Sequence, residues 1–280
     1  MRDKNNKVIG IIGFGNMGQA IAERIKIHYQ VIIFDKDKGK TSNVSGIRIA
    51  KDNIDLVKTA DVLILAVKPQ DFDAVLNEIK NYAKDKLIIS IAAGITTRYI
   101  EKFIREVRII RAMPNIGVRI GESETSLCKG KNAQDIDLDF AKELFNYLGK
   151  TRVMKEEMIN AATAISGTGP ALIFSYMDVK KIDPLNVPEQ IEKEYIKRLK
   201  EAAEKVGFDT QTAIELAGST TASSIHLAAV TGVSPAELIK QVASKGGTTE
   251  AALEILARGG SWVEAAEAAL KRAEELGKKE

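Results

Sequence analysis

The chain has 280 residues, 45% hydrophobic and 28% charged, which is enough for two domains with cores of their own. Its 41 basic and 38 acidic side chains, net charge +3, are spread along the sequence, leaving no basic arm or acidic tail to bind nucleic acid or a membrane surface. The single cysteine, Cys128, excludes an internal disulfide and a multi-cysteine metal centre, and no apolar run approaches the ~20 residues of a membrane-spanning helix, so a cytoplasmic protein acting on small molecules is expected.

The N-terminal stretch MRDKNNKVIGIIGFG opens charged and turns apolar, but glycines break the apolar part and no cleavage-type site follows. It reads as a first strand, Val8–Ile12, rather than a leader. Further β-rich runs stand at Val31–Phe34, Val62–Val67, Leu87–Ser90 and Val107–Ala112. Between them, stretches such as Asn16–Ile27 and Asp71–Tyr82 repeat apolar residues at helical spacing. Continuous apolar strands separated by helices predict an α/β domain over residues 1–154, a Rossmann-type doubly wound parallel sheet covered on both faces.

The first strand runs into GFGNMG, which places Gly13, Gly15 and Gly18 between a strand and a helix. In that context the spacing is a dinucleotide fingerprint. The first glycine permits the tight turn, the second the approach of a pyrophosphate, and the third the packing of helix on strand. Asp35 ends the second strand where an acid would bond the adenosine ribose of NAD. Lys36 and Lys38 follow, and they fit the extra phosphate of NADP or a solvated turn equally well, so the cofactor is NADPH or NADH. Further on, AVKPQD, SIAAGIT and RAMPN end their strands in small or rigid residues at the ligand-binding edge of the sheet, leaving room for a flat nicotinamide ring.

After Met154 the β-rich runs stop, and residues 155–280 predict an all-helical domain. Glu189–Lys205 is charge-dense and reads as a solvated helix face. Thr210–Val230 is so rich in Ala, Ser and Thr that its apolar face is thin, which implies burial against another subunit. Ser234 with Glu237, and Ser261 with Glu264, fit the capping box. SKGGTTEAAL, Ser244–Leu253, then opens a helix with paired glycines and threonines. Its unpaired N-terminal amides would attract a phosphate or a carboxylate, or form a plain cap with Thr249 as the N-cap.

No nucleophile with a partner base and no carboxylate pair can be assembled from this sequence. His28 reads as a surface residue, His226 as a core or interface residue, and the two do not make a metal site. Hydride transfer from a nicotinamide needs neither, because the cofactor carries the reactive atom and the protein orients it.

Taken in order, IGFGNMG, AVKPQ, SIAAGIT, RAMPN, SGTGPA (Ser166–Ala171) and SPAEL followed by VASKGGTTEAALEIL resemble the pyrroline-5-carboxylate reductases of proline biosynthesis, over nearly the whole chain. The resemblance implies NAD(P)H-dependent reduction of 1-pyrroline-5-carboxylate to L-proline. It also implies that the helical domain is a dimerisation domain, interleaved with its twin in a homodimer or a larger assembly of dimers. Carried over by position, Gly13, Phe14, Gly15, Asn16, Met17 and Gly18 hold the pyrophosphate, and Asn53 approaches the adenosine side. Ala66, Val67, Lys68 and Pro69, with Ala92, Ala93 and Gly94, flank the nicotinamide half. Gly246, Gly247, Thr248 and Thr249 present backbone amides to the substrate carboxylate, with Ser244 and Ser166 beside them. The Thr249 hydroxyl faces the ring nitrogen as the catalytic group.

The sequence departs from the family in an apparent insertion of roughly fifteen to twenty residues after Asp178, by loop-length comparison. It also reads Gly232-Val233-Ser234-Pro235 before the capping box in place of Gly-Glu-His-Pro, and has Thr168 for a serine. Another imine or 2-oxo acid reductase on the same architecture is the alternative enzyme. A non-catalytic dinucleotide sensor is the alternative outside catalysis, and it would have no use for the Gly246–Thr249 turn.

Overall fold

The computed structural model describes residues 7–277. Its strands are β1 (Val8–Ile12), β2 (Gln30–Phe34), β3 (Arg48–Ile49), β4 (Val62–Leu65), β5 (Leu87–Ser90), β6 (Arg108–Met113), β7 (Ser123–Lys129) and β8 (Gly149–Val153). They form one eight-stranded sheet in the order β3-β2-β1-β4-β5-β6-β7-β8. Neighbours from β3 to β6 pair in parallel, β7 turns antiparallel to β6, and β8 runs parallel to β7. The sheet is thus parallel-dominated rather than wholly parallel.

Side chains alternate across the strands and feed a core on each face. One face packs Ile9, Ile11, Ile33, Ile64 and Ile89 against α1 (Asn16–Ile25) and α5 (Asp135–Asn146). The other packs Ile32, Leu63, Leu65 and Ile88 against α2 (Asn53–Thr59), α3 (Phe72–Ile79) and α4 (Thr97–Phe103). β7 has no aliphatic run, yet it is buried. Its Glu124 is held by Arg152 Nε at 3.3 Å and Ser219 Oγ at 2.8 Å, and the Ser123 and Thr125 hydroxyls meet at 3.0 Å.

Beyond β8 the chain is helical: α6 (Glu156–Ala162), a π-helical turn at Thr163–Gly167, α7 (Gly169–Lys180), α8 (Glu189–Lys205), α9 (Thr210–Thr231), α10 (Pro235–Val242), α11 (Thr248–Ala257) and α12 (Trp262–Gly277). The apolar face of α9 is thin, with only Leu216 and Leu227 among its buried residues larger than Ala, Ser or Thr, and the core of this half is filled from the other helices. Tyr176 of α7, Tyr195 of α8 and Trp262 of α12 pack with ring centroids 5.3 to 6.5 Å apart, and Leu199 of α8 is fully buried. α8, which begins within the apparent insertion and runs on beyond it, lies against both α9 and α12. The outer face of α8 is solvated, with ion pairs such as Lys193–Glu189. Among the described residues, no helix is long and apolar enough to cross a membrane.

Candidate active site

Gly13 takes φ +97° at the end of β1, a conformation disfavoured for residues with a side chain, and a Cβ there would stand 2.7 Å from the Ala66 carbonyl oxygen. A Cβ on Gly18 would stand 2.1 Å from the Gly13 carbonyl oxygen, so the glycines press loop, helix and β4 together. Gly15 is different. Nothing lies within 4 Å of its would-be Cβ, and as N-cap of α1 it leaves the first-turn amides without a side-chain partner. Open space above unpaired helix amides is what a dinucleotide pyrophosphate requires, and the chain therefore fits that group.

The second strand delivers Asp35 elsewhere than expected. Its Oδ2 accepts from the Phe14 amide at 2.7 Å, its Oδ1 from the Asp37 amide at 2.9 Å, and Lys40 Nζ lies 3.2 Å away. Burial works to raise its pKa, but the amides of Asp37 and Phe14 and the Lys40 ammonium together hold the carboxyl below its ordinary range. Both oxygens are thus spent inside the protein, and Asp35 braces the glycine loop instead of standing free for a ribose. Lys36 pairs with Asp71 at 2.6 Å, which raises its pKa. Asn53 is buried, with Nδ2 donating to Glu78 Oε2 at 2.7 Å and Oδ1 without a partner among the described residues.

One cleft of about 1070 Å³ joins the sheet edge to the helical half. Asn16 and Met17, all of Ala66 to Pro69, and Ala92 and Ala93 line it from the sheet side. Gly94 does not. At φ +78° it packs on the end of α12, with Ala273 O 2.6 Å from a would-be Cβ. The glycines, Phe14, Asp35, Lys36 and Asn53 also lie off the cleft wall.

From the helical side come Ser244, Thr248 and Thr249, with Thr163 and Gly167 of the π-helical turn. Gly247 is the N-cap of α11, which puts Thr248 and Thr249 in its first turn and corrects the reading of Thr249 as the cap. The Gly246 peptide is held at both ends: its N–H donates to Glu250 Oε2 at 2.6 Å and its carbonyl accepts from Arg272 Nε at 2.8 Å. Gly247 closes the turn onto the Ser244 carbonyl at 2.8 Å. Neither glycine is on the cleft wall. Ser166 is also displaced from its expected place: it is fully buried, and its hydroxyl donates to the Ala162 carbonyl at 2.8 Å.

Sequence reasoning missed Thr163, Gly167 and the bridge from Asn16 Nδ2 to the Gln241 carbonyl, 3.1 Å, which ties the glycine loop to the end of α10. Gly167 lies within the SGTGPA motif and was within reach; Gln241 carries no local signal. His28 stacks on Tyr147 at 3.7 Å at the surface of the cleft. His226, expected in a core or interface, is half exposed and meets Glu122 at 2.8 Å.

A glycine-rich turn and open helix at the carboxyl edge of a doubly wound sheet, facing a second helix N-terminus across one cleft, define an NAD(P)-dependent oxidoreductase. Residues 8–94 match the family profile described as NADP oxidoreductase coenzyme F420-dependent, and residues 194–276 that of pyrroline-5-carboxylate reductase dimerisation. The chain belongs to the pyrroline-5-carboxylate reductase family. The Methanosarcina acetivorans enzyme of that name is 33% identical over 98% of this chain and 99% of its own length. The Coxiella burnetii pyrroline-5-carboxylate reductase structure is 30% identical, with TM-score 0.64, covering 98% of this chain and all of that one. The Plasmodium falciparum pyrroline carboxylate reductase structure, which has NADP bound, is 26% identical with TM-score 0.64, covering 98% of this chain and 99% of that one.

Proposed function

We propose that this protein reduces the C=N bond of 1-pyrroline-5-carboxylate with NADPH or NADH, giving L-proline. The observation that carries the reading is that one cleft reaches two helix N-termini without side-chain caps, those of α1 and α11. Two anions belong there, and the reaction has two: a pyrophosphate and a carboxylate.

On this reading Gly13 to Gly18 hold the pyrophosphate, while Ala66 to Pro69, Ala92 and Ala93 flank the nicotinamide. The bound dinucleotide supplies the hydride for the imine carbon. The opening π bond leaves an electron pair on nitrogen, which takes a proton. The first-turn amides of α11 hold the carboxylate, and Thr249, 5% exposed, turns its hydroxyl to the ring nitrogen, either orienting it or relaying the proton from water. The small residues on the sheet side let the two reactants approach to ~3–3.5 Å.

The sheet and its helices, residues 1–154, act as the dinucleotide domain, and residues 155–280 as the substrate and dimerisation domain. The match to a dimerisation profile supports a homodimer, or a larger body built of dimers; a cytoplasmic location is part of the same proposal. Initial rates with pyrroline-5-carboxylate against NADH and NADPH in parallel, beside a six-membered cyclic imine and a 2-oxo acid, test the function. Turnover is expected on pyrroline-5-carboxylate above the others. Dinucleotide binding with no turnover on any substrate would refute the enzyme reading and support a sensor.

A further inference from the structure

Thr168 stands between the π-helical turn and α7, wholly buried; its Oγ1 donates to Thr248 Oγ1 at 3.4 Å and lies 3.4 Å from Thr249 Oγ1, a contact in which either hydroxyl can be the donor. Thr248 and Thr249 line the cleft; Thr168 lies behind them. Among the described residues these hydroxyls have hydrogen-bond partners only in one another.

In the rest of the helical half several hydroxyls give their proton to the backbone, while Thr220 and Thr221 Oγ1, also buried, find no partner among the described residues. Thr163, Ser166, Ser224 and Thr231 each donate to the carbonyl four residues back, at 2.8, 2.8, 2.6 and 2.7 Å. Such a proton is consumed by the helix and is not available to a ligand. Thr249 sits in the first turn of α11, where the residue four back, Lys245, is not helical, so its proton has no backbone sink. A hydroxyl has one donor and two acceptor positions. If a neighbour donates to Thr249 Oγ1, its own proton is left to point into the cleft; if Thr249 donates to the neighbour, the proton is lost to the substrate. Thr168 is that neighbour: its one proton, given to Thr248 Oγ1 as the site stands, has Thr249 Oγ1 as a second acceptor at the same distance, and turning to it fixes the Thr249 hydroxyl. The 3.4 Å separation exceeds an ordinary O–H···O contact, so the bond requires the pair to close when ligand binds, as hydrogen bonds at catalytic centres can.

We propose that Thr168 is a positioning residue: by donating to Thr249 Oγ1 it fixes the direction of the Thr249 hydroxyl proton toward the substrate nitrogen. This rests on the reading of Thr249 given above, so wild-type turnover of pyrroline-5-carboxylate is measured first; its absence would remove that reading before Thr168 is tested.

The experiment compares Thr168→Ser, Thr168→Val and Thr249→Ala with the double variant Thr168→Val/Thr249→Ala. The readouts are kcat, KM, the melting temperature and NADPH binding by fluorescence titration. Thr168→Ser keeps the donor and should hold kcat within about twofold. Thr168→Val keeps the shape and loses the donor, and should lower kcat about tenfold, the size of one lost hydrogen bond, with KM and NADPH affinity within about twofold. The double variant should lose little beyond Thr249→Ala, because the two residues act as a unit. If Thr168→Val lowers the melting temperature by many degrees, Thr168→Ala, which only removes atoms, gives the same comparison. The proposal is overturned if the valine and alanine variants keep kcat, if serine falls as far as valine, or if the losses multiply in the double variant.

Discussion

The Asp35 carboxylate accepts the Phe14 amide at 2.7 Å, joining the end of β2 to the glycine loop 21 residues earlier. Replacing Asp35 by Ala leaves that buried amide and the Asp37 amide without their acceptor and frees Lys40. The expected cost is about 1–3 kcal/mol in urea unfolding, with weaker dinucleotide binding because the loop loses its brace. The native carboxyl titrates below its ordinary 3.8, so its stabilising contribution is complete above that value and is lost only as pH falls through the lower native value. The difference between wild type and Asp35→Ala should therefore be flat from pH 5 to 8 and shrink in acid. A difference that instead grew on acidification would contradict this bonding.

Local patterns carried the legible part of this molecule. Val8–Ile12, Leu87–Ser90 and Glu189–Lys205 form with the bounds expected of them, because an aliphatic run or a helical charge pattern is decided within its own few residues. β7, Ser123–Lys129, was not legible: its burial depends on Arg152 and Ser219, far away in the chain, satisfying Glu124. In the site, the Thr248–Thr249 turn and Ala66–Pro69 were found by motif and line one cleft, whereas of the glycine loop only Asn16 and Met17 reach its wall. The misplacements of Ser166 and Gly94 share a cause. A motif says that a residue is needed in the fold but not on which side it is needed, and these two face a helix carbonyl and the end of α12.

The glycines of the fingerprint should separate when each is replaced by Ala. At Gly18 the new Cβ would stand 2.1 Å from a backbone oxygen that cannot move without shifting β1. The expectation is about 1–3 kcal/mol of lost stability, together with lost dinucleotide binding. At Gly15 nothing is within 4 Å and φ is −79°, so the variant should melt like wild type while binding dinucleotide more weakly, since the methyl occupies the pyrophosphate's approach. Thermal melts with and without NADPH read both. Equal melting behaviour of the two apo variants would contradict the packing described.

Cys128 is 3% exposed, and burial, reinforced by Glu156, pushes its thiol up to about 12 despite the neighbouring Arg111. The thiolate is the reactive form, so at pH 8 the folded protein should resist dithionitrobenzoate for hours. In 6 M guanidinium the same reagent should titrate one thiol per chain. Rapid reaction of the native protein would show that β7 opens readily, and ligand protection would then locate the opening.

Glu250 places a carboxylate on the Gly246 amide at 2.6 Å, beside the helix N-terminus proposed to receive the substrate's own carboxylate. Two roles compete there. As an acceptor, Glu250 helps to shape the turn; as an anion, it repels the incoming one. Glu250→Gln separates them, because the amide oxygen can still accept from Gly246 while the charge is gone. Exposed charge pairs are worth little, so KM for pyrroline-5-carboxylate should fall only roughly two- to fivefold. The advantage should fade toward 0.5 M salt as the charges are screened. Glu250→Ala removes both roles and should raise KM above that of the Gln variant, since Gly246 then has only Arg272 to hold its peptide. A salt-independent KM that is the same in wild type and Glu250→Gln would mean that the substrate carboxylate does not bind at the start of α11, and the site would have to be sought elsewhere along the cleft.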